Sequence, residues 1–169
     1  MKRLLILFLG TVLAVGLIVQ ASGASSGGQT VLEFDTMPPV SGPFVGSANP
    51  IRGVNGGGLP WQIAEGSGQL ASDGSLQVEV QGLVLLNGPP VPPALRGTNP
   101  IPSFRAIVSC LTVIGGLATT KNVATAPFPA SRTGDSDIEA TVKLPSPCIA
   151  PIIFVGPSPI AWFAVTGTS

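Results

Sequence analysis

Proline and glycine set the tightest limit on what this chain can fold into. The sequence contains 18 prolines and 22 glycines, and every proline lies C-terminal to residue 37. Proline ends helices and is excluded from the interior of central strands, while glycine favours turns. Regular segments must therefore be short. Because 44% of the residues are hydrophobic and 9% are charged, the composition is not that of a disordered chain.

Between the prolines and glycines, apolar residues alternate with polar ones, as they do in strands of half-buried sheets. Residues 76–81 are the clearest case, since Leu76, Val78 and Val80 alternate with polar residues. Residues 138–144 alternate in the same way, and the apolar run 104–114 predicts a deeply buried strand. Further short strands are expected at 31–35, 122–125, 149–155 and 161–166.

These segments predict an all-β domain of about seven to nine short strands joined by tight turns. Turn signals such as Asp73 followed by Gly74 separate the strands. A β-sandwich, immunoglobulin-like or jelly-roll-like, is the expected architecture. A small β-barrel is the alternative.

The two cysteines, Cys110 and Cys148, predict one disulfide bond. The bond would join the 104–114 strand to the segment leading into the 149–155 strand. It would close a loop of about 39 residues, which corresponds to ~4 kcal/mol of loop entropy.

The N-terminus has the pattern of a secretory signal peptide. Lys2 and Arg3 precede an apolar run at 4–19, and small residues follow the run. Cleavage is expected after Ala24, with Ala21 as the alternative site. As a helix the run would span about 24 Å, less than a ~30 Å hydrocarbon core, so an uncleaved anchor is the weaker interpretation. We expect a signal peptide at 1–24, a flexible tether at 25–30 and a single β domain at 31–169, secreted through the Sec pathway.

Removal of this signal leaves six basic residues against eight acidic ones, a net charge of −2. The remaining sequence has no basic cluster that would neutralise phosphates or anionic lipid headgroups. We therefore expect no nucleic-acid partner, no stable membrane insertion after signal cleavage and no cofactor.

The chain contains no histidine, which excludes the nucleophile systems that depend on an imidazole base. The densest acidic cluster is formed by Asp135, Asp137 and Glu139. At alternate positions these carboxylates would share one face of a strand, where oxygen ligands suit Ca²⁺. The favoured interpretation is a turn that leads into a strand with a solvated polar face.

The two tryptophans, Trp61 and Trp162, are the candidate binding residues. An exposed indole would offer a stacking platform for a sugar. The favoured interpretation places both in the core, because Trp61 follows a proline at a strand start and Trp162 precedes Phe163 in an apolar run.

Several segments resemble small secreted β-rich proteins of bacteria. They are GLPW at 58–61, GLV at 82–84, SCL at 109–111, LP at 144–145 with Cys148, and WFAVTG at 162–167. The resemblance covers most of the chain after the signal. It implies a bacterial, exported protein, and it carries no activity or ligand.

The function that these observations favour is a non-enzymatic exported domain, a structural or interaction module at the cell surface or outside it. Its expected partner is a protein or glycan at the cell surface. One alternative is a small-ligand or carbohydrate-binding module that uses Trp61 or Trp162. The other is a carboxylate- or Ca²⁺-dependent enzyme built on Asp135, Asp137 and Glu139.

Overall fold

The structure, a computed structural model, describes residues 27–167. The predicted signal peptide and its cleavage site lie outside these residues. The described chain forms 13 strands and two 3-10 turns, the latter at Gly42–Phe44 and Pro93–Leu95. In chain order the strands are β1 (Thr30–Phe34), β2 (Asn55–Gly56), β3 (Trp61–Gln62), β4 (Glu65–Ala71), β5 (Ser75–Gln81), β6 (Val84–Leu85), β7 (Ser103–Ile114), β8 (Leu117–Ala124), β9 (Phe128–Pro129), β10 (Ser136–Thr141), β11 (Ile149–Gly156), β12 (Ala161–Trp162) and β13 (Ala164–Val165).

Two main sheets enclose one hydrophobic core, so the predicted β-sandwich is confirmed. The first sheet has the order β1-β4-β5-β10, and the second has the order β13-β11-β7-β8 with β9 paired to the start of β7. Buried side chains from both sheets belong to a single cluster, which includes Leu76, Val80, Ile107 and Phe154. No sheet within residues 27–167 closes into a barrel. The sequence missed one longer strand, β4, in which Gly66 and Gly68 interrupt the pattern of side chains. The other additional strands are two-residue pairings in the connections.

The period-two pattern places the first sheet on the core as expected. In β5, Leu76, Val78 and Val80 are buried and the residues between them are exposed. Strand β10 pairs antiparallel with β5 and sets Ile138, also buried, opposite Val78. One face of the first sheet is therefore apolar and covered, while the other is polar and open to solvent.

Strand β7 is the longest strand and runs through the middle of the second sheet. It pairs antiparallel with β11 on one side and β8 on the other. Gly115 and Gly116 join β7 to β8 with φ values of 59° and 80°. Positive φ at both positions defines the type I′ turn that suits a two-residue hairpin, and glycine adopts it without strain.

Strand β8 differs from the prediction of a short strand at 122–125, since it begins at Leu117. Its sequence lacks apolar alternation because it is an edge strand that buries little. The hairpin with β7 determines its conformation.

The described N-terminal residues join the first sheet before β1 begins. The Gly28 N–H donates to the Asp73 carboxylate at 2.9 Å, and the Gln29 N–H donates to the Ser72 hydroxyl at 3.0 Å. Thr30, which the sequence placed in the tether, is the first residue of β1.

The predicted disulfide is confirmed. Cys110 and Cys148 are bonded, with their Cα atoms 4.9 Å apart. The bond links β7 to the residue just before β11, beside the Leu111–Ile149 pair of the same two strands. Such a bond is consistent with an oxidising, extracellular environment. Among residues 27–167, no helix is long and apolar enough to cross a membrane.

Removal of the disulfide should destabilise the domain without changing its fold. We expect Cys110→Ala/Cys148→Ala to lower the free energy of unfolding by about 4 kcal/mol, because the unfolded chain regains the entropy of the closed loop. Urea unfolding followed by tryptophan fluorescence measures this difference. Equal stability of the double variant and the wild type would contradict the assignment.

Candidate functional site

The outward face of the first sheet gathers carboxylate and amide side chains in rows across the strands. One row runs Glu33, Gln69, Gln77 and Glu139, from β1 through β4 and β5 to β10. All four of these side chains are exposed. Antiparallel register thus places acidic residues from the two edge strands on either side of two central amides.

A second row lies beside the first and runs Ser67, Glu79 and Asp137. Asp35 follows the end of β1 next to this row. We call the surface formed by Glu33, Asp35, Glu79, Asp137 and Glu139 the acidic face. It lines a shallow, open groove of about 800 Å³.

No positive charge interrupts the acidic face. Strands β1, β4, β5 and β10 contain no lysine or arginine. The amides on the face are tied to their neighbours, since Gln69 Nε2 donates to Gln77 Oε1 and Gln81 Nε2 donates to Glu79 Oε1, both at 2.7 Å. The acidic face therefore presents negative charge alone, on paired strands that are open to water.

The structure does not bring together the three carboxylates that the sequence suggested for Ca²⁺. Asp137 and Glu139 are exposed on β10, whereas Asp135 lies in the turn before it. The described residues contain no group of three or more ligating side chains placed to hold a metal ion. The favoured interpretation, a turn leading into a solvated strand face, describes the observed geometry.

Asp135 instead closes its own turn. Its carboxylate accepts hydrogen bonds from the Thr133 hydroxyl at 2.6 Å, the Ser131 hydroxyl at 2.9 Å and the Gly82 N–H at 2.9 Å. Led by the Thr133 bond, these donors lower the pKa of Asp135 below its usual value of 3.8. The bond from Gly82 joins the end of β5 to the start of β10, so Asp135 is a structural residue of the first sheet.

Asp73 has a similar role at the other end of the same strands. Its carboxylate accepts from the Ser75 N–H and the Gly28 N–H, each at 2.9 Å. The Ser75 bond, followed by the Gly28 bond, lowers the pKa of Asp73. The two aspartates with lowered pKa values thus hold turns and lie outside the acidic face.

Both tryptophans are buried, with 4% of Trp61 and 2% of Trp162 exposed. The Trp61 ring stacks on Phe163 with centroids 3.7 Å apart and an interplanar angle of 18°. Gly57 permits this contact, because a Cβ atom there would lie 2.8 Å from Phe163 Cδ1. Trp162 packs against Phe154 at 5.9 Å. Neither indole offers a free face for stacking a sugar.

Sequence reasoning found two of the five residues of the acidic face, Asp137 and Glu139. It missed Glu33, Asp35 and Glu79, although all three lie in predicted strands. The missing information was the order of strands, which brings β1 and β10 to the two edges of one sheet.

Comparison of the chain with protein-family models, with curated proteins and with solved structures finds no match. The function is therefore inferred from the geometry of the described residues. The residues of the acidic face share a negative charge. None of them is paired with a nucleophilic side chain among the hydrogen bonds of residues 27–167.

Truncation of Trp61 tests its role in the core. We expect Trp61→Ala to lower the free energy of unfolding by about 3–5 kcal/mol, because it opens a cavity beside Phe163 and Phe104. Phe44→Ala is the matched control, since Phe44 is 42% exposed and should change stability by less than about 0.5 kcal/mol. Chemical denaturation compares the two variants, and a Trp61→Ala protein as stable as the control would contradict burial.

Asp135 should make stability depend on pH. Folding lowers the pKa of the Asp135 carboxyl below 3.8, the value of an ordinary aspartate. Its charged form therefore stabilises the native state at every pH above 3.8. That contribution is lost as pH falls through the lower native value. We expect Asp135→Asn to be less stable than wild type by about 1 kcal/mol at neutral pH, with the difference disappearing in acid. Asp137→Asn removes the same charge two residues away at an exposed position and should change the free energy of unfolding by less than about 0.5 kcal/mol at neutral pH, as thermal melts measure.

Proposed function

We propose that the mature domain is a non-enzymatic interaction module that acts outside the cell and binds a basic partner through the acidic face. The observation that carries this proposal is the uninterrupted set of carboxylates on one sheet face. A surface of one charge sign attracts partners of the opposite sign and accelerates their association. The partner is a protein surface or segment rich in lysine and arginine.

The exposure of the carboxylates supports binding over catalysis. Asp137, Glu139 and Glu79 lie at exposed strand positions, where water solvates them. General acid–base catalysis by a carboxyl usually depends on burial or a close charged neighbour that brings its pKa toward neutrality. Charges in this setting act chiefly through long-range attraction, which a binding surface requires.

Export is supported by the sequence of the first 24 residues and by the disulfide bond. The basic start, apolar run and small residues suit the Sec pathway. The Cys110–Cys148 bond persists in oxidising compartments. An exported module would meet basic segments of proteins at the cell surface.

Carbohydrate binding through Trp61 or Trp162 has less support, because both rings lie in the core. A glycan would have to rely on the polar groups of the groove without a stacking platform. Glycan binding that survives neutralisation of the acidic face would favour this alternative over the proposed function.

The proposal is tested with purified secreted protein and immobilised poly-L-lysine, with poly-L-glutamate as the opposite charge. We expect binding to poly-L-lysine alone, weakened strongly between about 50 and 500 mM salt as screening increases. Glu79→Gln/Asp137→Asn should weaken binding by about tenfold at low salt, because two central charges are lost.

The matched control adds two positive charges elsewhere. Ser47→Lys/Ala48→Lys makes the same change in net charge in an exposed loop outside the acidic face. Its affinity should fall by less than about twofold. Equal losses in the two double variants would show that net charge, and not the acidic face, governs binding, and would overturn the proposal.

A further inference from the structure

Within residues 27–167, strand β8 forms an open edge of the second sheet. It pairs with β7 on one side, and its residues make no other backbone–backbone hydrogen bond within the described chain. The Asn122 side chain donates to the Arg52 carbonyl at 3.0 Å, while the Asn122 backbone makes no such bond to the 51–54 loop among residues 27–167. A strand with one free edge can pair with a further strand.

The turn geometry identifies which backbone groups face outward. In a two-residue hairpin the closing pair, here Ile114 and Leu117, exchanges both hydrogen bonds, and such bonded pairs alternate along the ladder. The N–H and C=O groups of Ala118, Thr120 and Asn122 therefore point away from β7. They form a row of donors and acceptors at the edge.

The end of this hairpin is also apolar. Val113, Ile114 and Leu117 are 48%, 61% and 73% exposed. Leu111 and Ile149, which pair with each other next to the disulfide, are 41% and 52% exposed. An open edge beside exposed apolar side chains indicates a surface that another molecule covers.

We propose that a second copy of this chain pairs with β8 in antiparallel orientation, with Thr120 opposite Thr120 across a twofold axis. This register joins the outward groups of Ala118 to those of Asn122 in the other copy, and those of Thr120 to their symmetry mates. It also sets Leu117 opposite Val123, which adds an apolar cross-strand pair at each end.

Charge favours this register over its neighbours. Lys121 is the one charged residue of β8. With Thr120 on the axis, Lys121 lies opposite the neutral Thr119 of the second copy. A shift of the axis to residue 121 would place two lysines directly opposite each other, which is unfavourable. Charge therefore favours an axis at Thr120 over an axis at Lys121.

A lipid surface suits the same region less well. The apolar tip would enter hydrocarbon readily, but the outward N–H and C=O groups of the edge would lose water without gaining partners. The same insertion would bring polar side chains of β8 into the hydrocarbon, namely those of Thr119, Thr120, Lys121 and Asn122. Strand pairing satisfies these groups, so a second copy is the better occupant.

This inference is independent of the proposed function, because β8 belongs to the second sheet and the acidic face to the first. A dimer formed through β8 leaves both acidic faces uncovered. Failure of one proposal would not affect the other, since self-association and poly-L-lysine binding are measured separately.

The test is sedimentation velocity of the secreted protein over a range of concentrations. Wild type should be a dimer at high micromolar concentration. Thr119→Lys, which sets like charges opposite each other, should raise the dimer dissociation constant at least about tenfold, and Thr119→Glu should lower it by a similar factor. Thr141→Lys, the same substitution at an exposed position of β10, should leave the constant unchanged.

A second variant tests the edge directly. Thr120→Pro removes an outward N–H without taking a bond from β7, and proline is tolerated at strand edges. It should be monomeric and retain cooperative unfolding. The proposal is overturned if the wild type is monomeric at every concentration. It is also overturned if neither Thr119→Lys nor Thr120→Pro changes the dissociation constant of the dimer. A third contradicting result would be a monomeric wild type that sediments with lipid vesicles while the Leu117→Ser variant does not.

Discussion

The antiparallel pairing of β7 with strands on both of its sides is the interaction on which the rest of the structure depends. At its start, Phe104 lies edge-on to Trp61 and Phe163, with ring centroids 6.4 and 6.0 Å away. Farther along, Cys110 is bonded to Cys148, the residue just before β11. The last residues of β7 leave the core and form the hairpin with β8. One strand therefore connects the aromatic centre, the disulfide and the exposed apolar tip, and any loss of its pairing would disturb all three.

The sequence predicted the parts of the fold in which burial dictates residue type. Leu76, Val78 and Val80 alternate because one side of β5 lies on the core, and the two cysteines have one partner each. Only the end of β8 was predicted, because an edge strand buries little and needs no apolar alternation. The acidic face was predicted for β10 alone, because strand order depends on contacts between distant segments. Glu33 and Glu139 are far apart in sequence and reach the same row only through β4 and β5.

Charge and aromaticity are segregated in this domain. The tryptophans lie inside, where Trp61 stacks on Phe163, and the carboxylates line one outer face without a cation among them. The two aspartates that accept several hydrogen bonds lie in turns instead, where they connect strands. Carboxylates of the same type thus have two roles, and their hydrogen-bond donors distinguish the structural residues from those available to a partner.

The covalent ring closed by Cys110 and Cys148 contains β8, β9 and β10, and β10 belongs to the opposite layer from the other two. A protease that cut the polypeptide between the two cysteines would leave both pieces attached to each other by sulfur. The nicked protein would migrate as one band until a reductant separated it into two. The disulfide therefore keeps the two ends of this ring joined even where the backbone between them is broken.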